Sequence, residues 1–161
     1  MTPKVLVKEI RMSKEYLDRS TQVLQESDST FSPVEGAFTV AQQMAHIAQT
    51  VEWFIDGAFG KGFDMDFENH NKMINFTSLA KAREWVDSAY GRLIATIESK
   101  SPEELLAPIE GQPILNGEPK LTIVFGIIEH TAHHRGALTM YSRMRGHTPL
   151  MPYMDPASVQ A

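Results

Sequence analysis

Six histidines and no cysteine limit the chemistry open to this chain of 161 residues. Disulfides, thiolate metal sites and a cysteine nucleophile are excluded, so imidazole and oxygen groups must do any chemistry. The informative segment is EHTAHHRGAL, in which His130 and His134 stand four apart. On a helix that spacing projects both side chains from one face, with Cβ atoms roughly 5–6 Å apart, so two rings can clamp one ion. The pair also continues the stripe Ile123, Ile127, Leu138 and Tyr141, which turns both imidazoles towards a helical interior. An unsatisfied polar group in an apolar core costs on the order of 1–3 kcal/mol, so the pair needs compensation. Either hydrogen bonds to core carbonyls or carboxylates, or a metal ion, would supply it. Two imidazoles leave an ion under-coordinated, so a metal site calls for a third ligand from a facing helix. His46, in AQQMAHIAQT, is the best candidate, although it lies about one residue step off its helix's main stripe and lines up with Gln42, Gln49 and Trp53.

Four segments of helical period separated by turn signals would position these residues, the pattern of an all-α, antiparallel four-helix bundle forming a single domain over 1–161. The first is expected from about Pro3 to Glu26. The second starts behind Thr39 as N-cap, carries Val40, Met44, Ile47, Val51, Ile55 and Ala58, and is stopped by Gly60 and Gly62. The third runs from Ser78 to about Lys100, with Ala82, Trp85, Val86, Ala89, Leu93 and Ile97 on one face. Ser101-Pro102-Glu103-Glu104 then reads as a new helix start. Gly111, Pro113 and Asn116-Gly117 mark a connection with a minor hairpin near 108–120. The fourth long helix spans about Leu121 to Arg145 and ends at Gly146. Loop 60–77 reads as either a lid over a site or a locally packed connection. The Pro-rich tail, 147–161, reads as extended, and the methionines, including Met140 and Met144, read as core filler.

Composition narrows the function classes. At 42% hydrophobic residues the chain can bury a core without staples. A net charge of −5 with scattered Lys and Arg argues against a nucleic-acid partner. The longest apolar run, roughly Leu121 to Ile128, is too short to span a bilayer, and the N-terminus does not read as a signal peptide, so the expected place is the cytoplasm.

The segments AHIAQTVEWF and HTAHHRGALTMYSRMRG, the latter followed by a proline, resemble the DinB/YfiT-like superfamily in content, order and spacing over nearly the whole chain. The resemblance implies a four-helix bundle in which one histidine of the second helix and two of the fourth bind a divalent ion, which maps onto His46, His130 and His134. Ala137 stands where the family often has glutamine after HHRG, which puts one polar contact in doubt. Three neutral imidazoles leave one or two metal positions open, as in a catalytic site. Zinc and nickel are the first candidates for the ion, although histidine ligands suit several metals. The resemblance further implies a homodimer and a metal-dependent enzyme, either a transferase using a low-molecular-weight thiol or a hydrolase acting on a small molecule. The alternative is a metal- or ligand-binding protein without turnover. No catalytic residue is specified; Glu129 could act as a base or be a solvated surface glutamate. His133 and Arg135 are left to packing or to supporting the ligands. Gly126 and Gly136 permit close helix approach, within the bundle or across a dimer.

Overall fold

Helices form where an apolar stripe coincides with a capping residue. The computed structural model describes residues 2–66 and 72–154. Helix α1 (Pro3–Thr21) starts with proline at its first position and Thr2 Oγ1 accepting from Val5 N. Helix α2 (Val40–Phe59) opens on a capping box in which Thr39 and Gln42 each hold the other's backbone N–H. Helix α3 (Leu79–Glu98) is capped by Ser78, and the short α4 (Pro102–Leu106) by the expected Ser101–Glu104 box. Helix α5 (Thr122–Met144) carries the histidine pair. The stripes meet in one core that includes Leu6, Ile10, Leu17, Met44, Ile47, Leu93, Ile127 and Leu138.

Helix α1 packs on α3 and α5, and α2 packs on the same two helices. The sequence neighbours α1 and α2 therefore stand at opposite corners of the four-helix bundle. Residues 22–39 make that diagonal crossing, and α1 ends at Thr21, short of the expected Glu26. The Arg83 guanidinium takes the carbonyls of Thr21 and Leu24 at 2.7 and 3.2 Å, closing the helix end. The chain then makes a 3-10 turn, Glu26–Asp28, whose polar side chains pin other elements. Ala80 N donates to Glu26 at 2.8 Å and Leu79 N to Ser29 Oγ at 2.9 Å, satisfying the start of α3. The Asp28 carboxylate, in a residue only 1% exposed, accepts from Gln25 N, Arg145 Nε and His147 Nε2 at 2.8–2.9 Å.

Two other expectations need correction. The hairpin near 108–120 is a single bridge between Pro108 and Pro119, with no strand among the described residues. The flanking residues make its backbone bonds, Lys120 N to Ala107 O at 3.0 Å and Ile109 N to Glu118 O at 2.8 Å. Met140 and Met144 are more than half exposed, because α5 turns His134, Leu138 and Tyr141 inward and leaves these two on its outer face. The ends of loop 60–77 are packed connections: Phe63 and Met73 are buried, and Trp53 Nε1 donates to Asp64 O at 2.7 Å. A lid would involve its centre, 67–71, which lies outside the described residues. The start of the tail lies across α1, where Arg19 donates to Pro152 O at 3.0 Å and Tyr153 sits edge-on to Tyr16 with centroids 5.1 Å apart. Residues 155–161 lie outside the described residues. No helix among the described residues is long and apolar enough to cross a membrane.

Burial by itself would raise the Asp28 pKa, but the bonds from Arg145, Gln25 N and His147 outweigh it and hold the carboxyl below its ordinary value of 3.8. A depressed carboxylate pKa adds stability that is present above the unfolded value and is lost as pH falls through the folded one. Asp28→Asn should therefore cost about 1–3 kcal/mol at neutral pH. The gap in melting temperature between variant and wild type should close as pH falls below 3.8.

Candidate metal centre

Because α2 and α5 are adjacent in the bundle, their polar positions face each other. His46 comes from α2, and His130 and His134, one turn apart, come from α5. One ring nitrogen from each lies within 4.8 Å of the others, so the three could hold one metal ion. The ring centroids are 4.4–5.0 Å apart, and the Nε2 atoms of His130 and His134 approach to 3.1 Å. His134 is buried, while His46 and His130 are partly exposed, so the site opens on their side.

Each imidazole has a partner that orients it. The Gln43 side-chain oxygen contacts His134 Nδ1, and Gln49 Oε1 lies 2.9 Å from His46 Nδ1. Those contacts put the proton of both rings on Nδ1 and leave Nε2 as the nitrogen that carries the lone pair. Gln43 Nε2 in turn donates to the Tyr141 hydroxyl at 3.3 Å, which fixes the amide, and Thr50 Oγ1 lies 3.4 Å from His130 Nε2. Histidine ligands in metal sites are held in this way, through the ring nitrogen that does not bind the ion. Here the Gln43 and Gln49 amides do so for His134 and His46, whereas the Thr50 hydroxyl meets His130 at the nitrogen that faces His134. Burial pushes the His130 pKa down to about 4, with His46 and then His133 adding repulsion. Burial pushes His134 further, to about 3, with His130, His46 and His133 adding to it. Both rings are therefore neutral at pH 7, the form that binds metal.

The structure brings together the three histidines singled out from the sequence. His133 is exposed and edge-on to His134 at 4.9 Å, and Glu129 is exposed. Arg135 points to the tail, with its guanidinium 5.7 Å from the Tyr16 ring centroid. Ala137 is partly buried against the core. A Cβ at Gly126 would come within 3.2 Å of Phe54, so that glycine serves packing inside the bundle, whereas nothing lies within 4 Å of such a Cβ at Gly136. Sequence reading missed Gln43 and Thr50. The available signal was that Gln43, His46 and Thr50 follow three-four spacing on the helix and so share one face.

A four-helix bundle with three histidines converging from two facing helices defines the class. The profile of the DinB superfamily matches residues 9–138, and the chain belongs to that superfamily. Its fold is similar to that of a DinB-like protein from Bacillus cereus, with a TM-score of 0.71 at 18% identity over 93% of this chain and 95% of that one. It is also similar to the DinB-like protein YjoA from Bacillus subtilis, with a TM-score of 0.69 at 16% identity over 90% and 94%. A third similar structure is YfiT from Bacillus subtilis, described as a probable metal-dependent hydrolase with an unusual four-helix bundle topology, with a TM-score of 0.67 at 15% identity over 91% and 89%. Among curated proteins none matches the chain by sequence.

If the three histidines are ligands, His130→Ala and His134→Ala will each abolish tight metal binding by calorimetry, and His133→Ala will retain it. Gln43→Ala should weaken binding about 10- to 100-fold. Equal loss in all three histidine variants would exclude this ligand set. In the metal-free protein the two α5 imidazoles have folded pKa values below the ordinary 6.5. Their contribution is full above 6.5, so the melting temperature of that form should fall as pH drops from 6.5 towards 4.

Proposed function

We propose that this protein is a metal-dependent enzyme whose divalent ion, zinc or nickel, is held by His46, His130 and His134 and which activates water or a small thiol towards an electrophilic small molecule. The observation that carries this reading is the convergence of three imidazoles, His130 and His134 among them neutral at pH 7, whose side-chain partners Gln43, Gln49 and Thr50 carry no charge. The donor set fits a divalent ion, and no charge from these partners offsets it. An ion bound by neutral ligands supplies a Lewis acid that brings a water pKa down towards 7 or takes a thiol as thiolate. Gln43 and Gln49 hold the His134 and His46 rings through Nδ1, which limits the rotation those two would need to take an ion. The partly exposed His46 and His130 leave access for a substrate, and the buried His134 closes the site on the core side. With no cysteine in the chain, any thiol is a cosubstrate. The description of YfiT supports the hydrolytic form of the reaction.

Metal analysis of the purified protein, followed by ester and amide hydrolysis and thiol-conjugation assays, tests the reading. Turnover in one of these should disappear on chelation, return with zinc or nickel, and be absent from His134→Ala. Undiminished turnover in verified metal-free protein would overturn it. Metal that raises the melting temperature without any turnover would leave a binding protein.

We also propose a homodimer built on the outer face of α5, where Phe125, Met140 and Met144 are 44–59% exposed alongside the open Gly136. Light scattering at micromolar concentration should give twice 18.1 kDa, and the monomer mass would exclude it.

A further inference from the structure

The chain has seven arginines, and five are engaged. Arg11 pairs with Glu98, Arg19 with Glu15, Arg92 with Asp56 and Arg145 with Asp28, while Arg83 caps carbonyls at the end of α1. The other two, Arg135 and Arg143, form no ion pair among the described residues, and both line one cavity of about 400 Å³ between α5 and residues 149–153 of the tail. No carboxylate lines it; Ser20 and Thr139 add hydroxyls, and Leu150 and Met151 add apolar surface. In a protein of net charge −5, two cations without a counter-charge on the same wall are a local excess of positive potential.

A second cavity, of about 190 Å³ between α1 and α5, shares Ala132, Arg135 and Tyr153 with the first. Its walls are largely apolar, with Met12, Tyr16 and Ile128, and it carries Glu9. The common wall is ordered: the Arg135 guanidinium lies over both the Tyr16 and Tyr153 rings, 5.7 and 5.9 Å from their centroids. Arg19, bonded to Pro152 O, holds the tail in place. The pair of cavities is thus polarised, with an apolar, aromatic-walled compartment on the α1 side and a cationic one on the tail side. Tyr153, 65% exposed, lines both.

We propose that these adjoining cavities form a binding site for a small amphipathic carboxylate. Its ring or branched apolar body would lie against Tyr16, Met12 and Ile128, and its carboxylate would be taken by Arg135 and Arg143. The guanidinium fork matches a carboxylate's two oxygens, and Glu9 repels the reverse orientation. The site faces a different side of α5 from His130 and His134, so it does not depend on the metal centre.

Calorimetric titration of the purified protein with benzoate, and with neutral benzamide as control, tests this. Benzoate should bind one to one, and benzamide about tenfold or more weakly, the worth of a charge-assisted contact. Arg135→Gln and Arg143→Gln, checked by circular dichroism, should each weaken benzoate by about the same factor while leaving metal binding unchanged. His134→Ala, or His130→Ala should that variant not fold, should bind benzoate as the wild type does. Absence of benzoate binding, or wild-type affinity in both arginine variants, would overturn the proposal. So would loss of benzoate in the histidine variant, which would place the anion at the metal centre.

Discussion

The seam between α2 and α5 holds three imidazoles in a partly dehydrated space, and the surrounding structure follows from keeping His130 and His134 uncharged there. Burial alone makes protonation of His130 and His134 unfavourable, and each ring repels a proton on its neighbour. Neutral rings still need hydrogen-bond partners. The Gln43 and Gln49 amides and the Thr50 hydroxyl meet that need from α2, and Tyr141 from α5 meets the remaining demand of Gln43. A carboxylate in place of either glutamine would attract protons to the seam. The amides orient the rings without doing so.

That seam exists only because α2 and α5 are neighbours, which depends in turn on the diagonal crossing between α1 and α2. The crossing is held by Asp28, Glu26 and Ser29, which satisfy the start of α3 and gather Arg145 and His147 from beyond the end of α5. Remote polar contacts thus set which helix faces His46. The buried Asp28 network lies apart from the three histidines, yet it ties down the corner of the bundle that brings α2 against α5.

Much of this was legible in the sequence, because amphipathic stripes and caps are local. The four long helices, the Ser101–Glu104 box and the Thr39 cap follow from residues within one or two turns. The inward direction of His130 and His134 is legible for the same reason, since it depends only on their register with Ile127 and Leu138. The methionines were misread because methionine's apolar character does not say which face it occupies; helical phase places Met140 and Met144 outside. The hairpin signal came from turn residues that are present, but the pairing they allow amounts to one bridge, between Pro108 and Pro119.

By itself the sequence determined the helices, the absence of a cysteine nucleophile and the pairing of His130 with His134. Only the tertiary structure decided that α1 and α2 stand at opposite corners, that Gln43 and Thr50 complete the histidine cluster, and that two arginines share a cavity with the tail. Each of these depends on groups dozens of residues apart in the chain. Periodicity specifies the face a side chain occupies, but the helix that meets that face is chosen by the connections and by the balance of burial across the whole core.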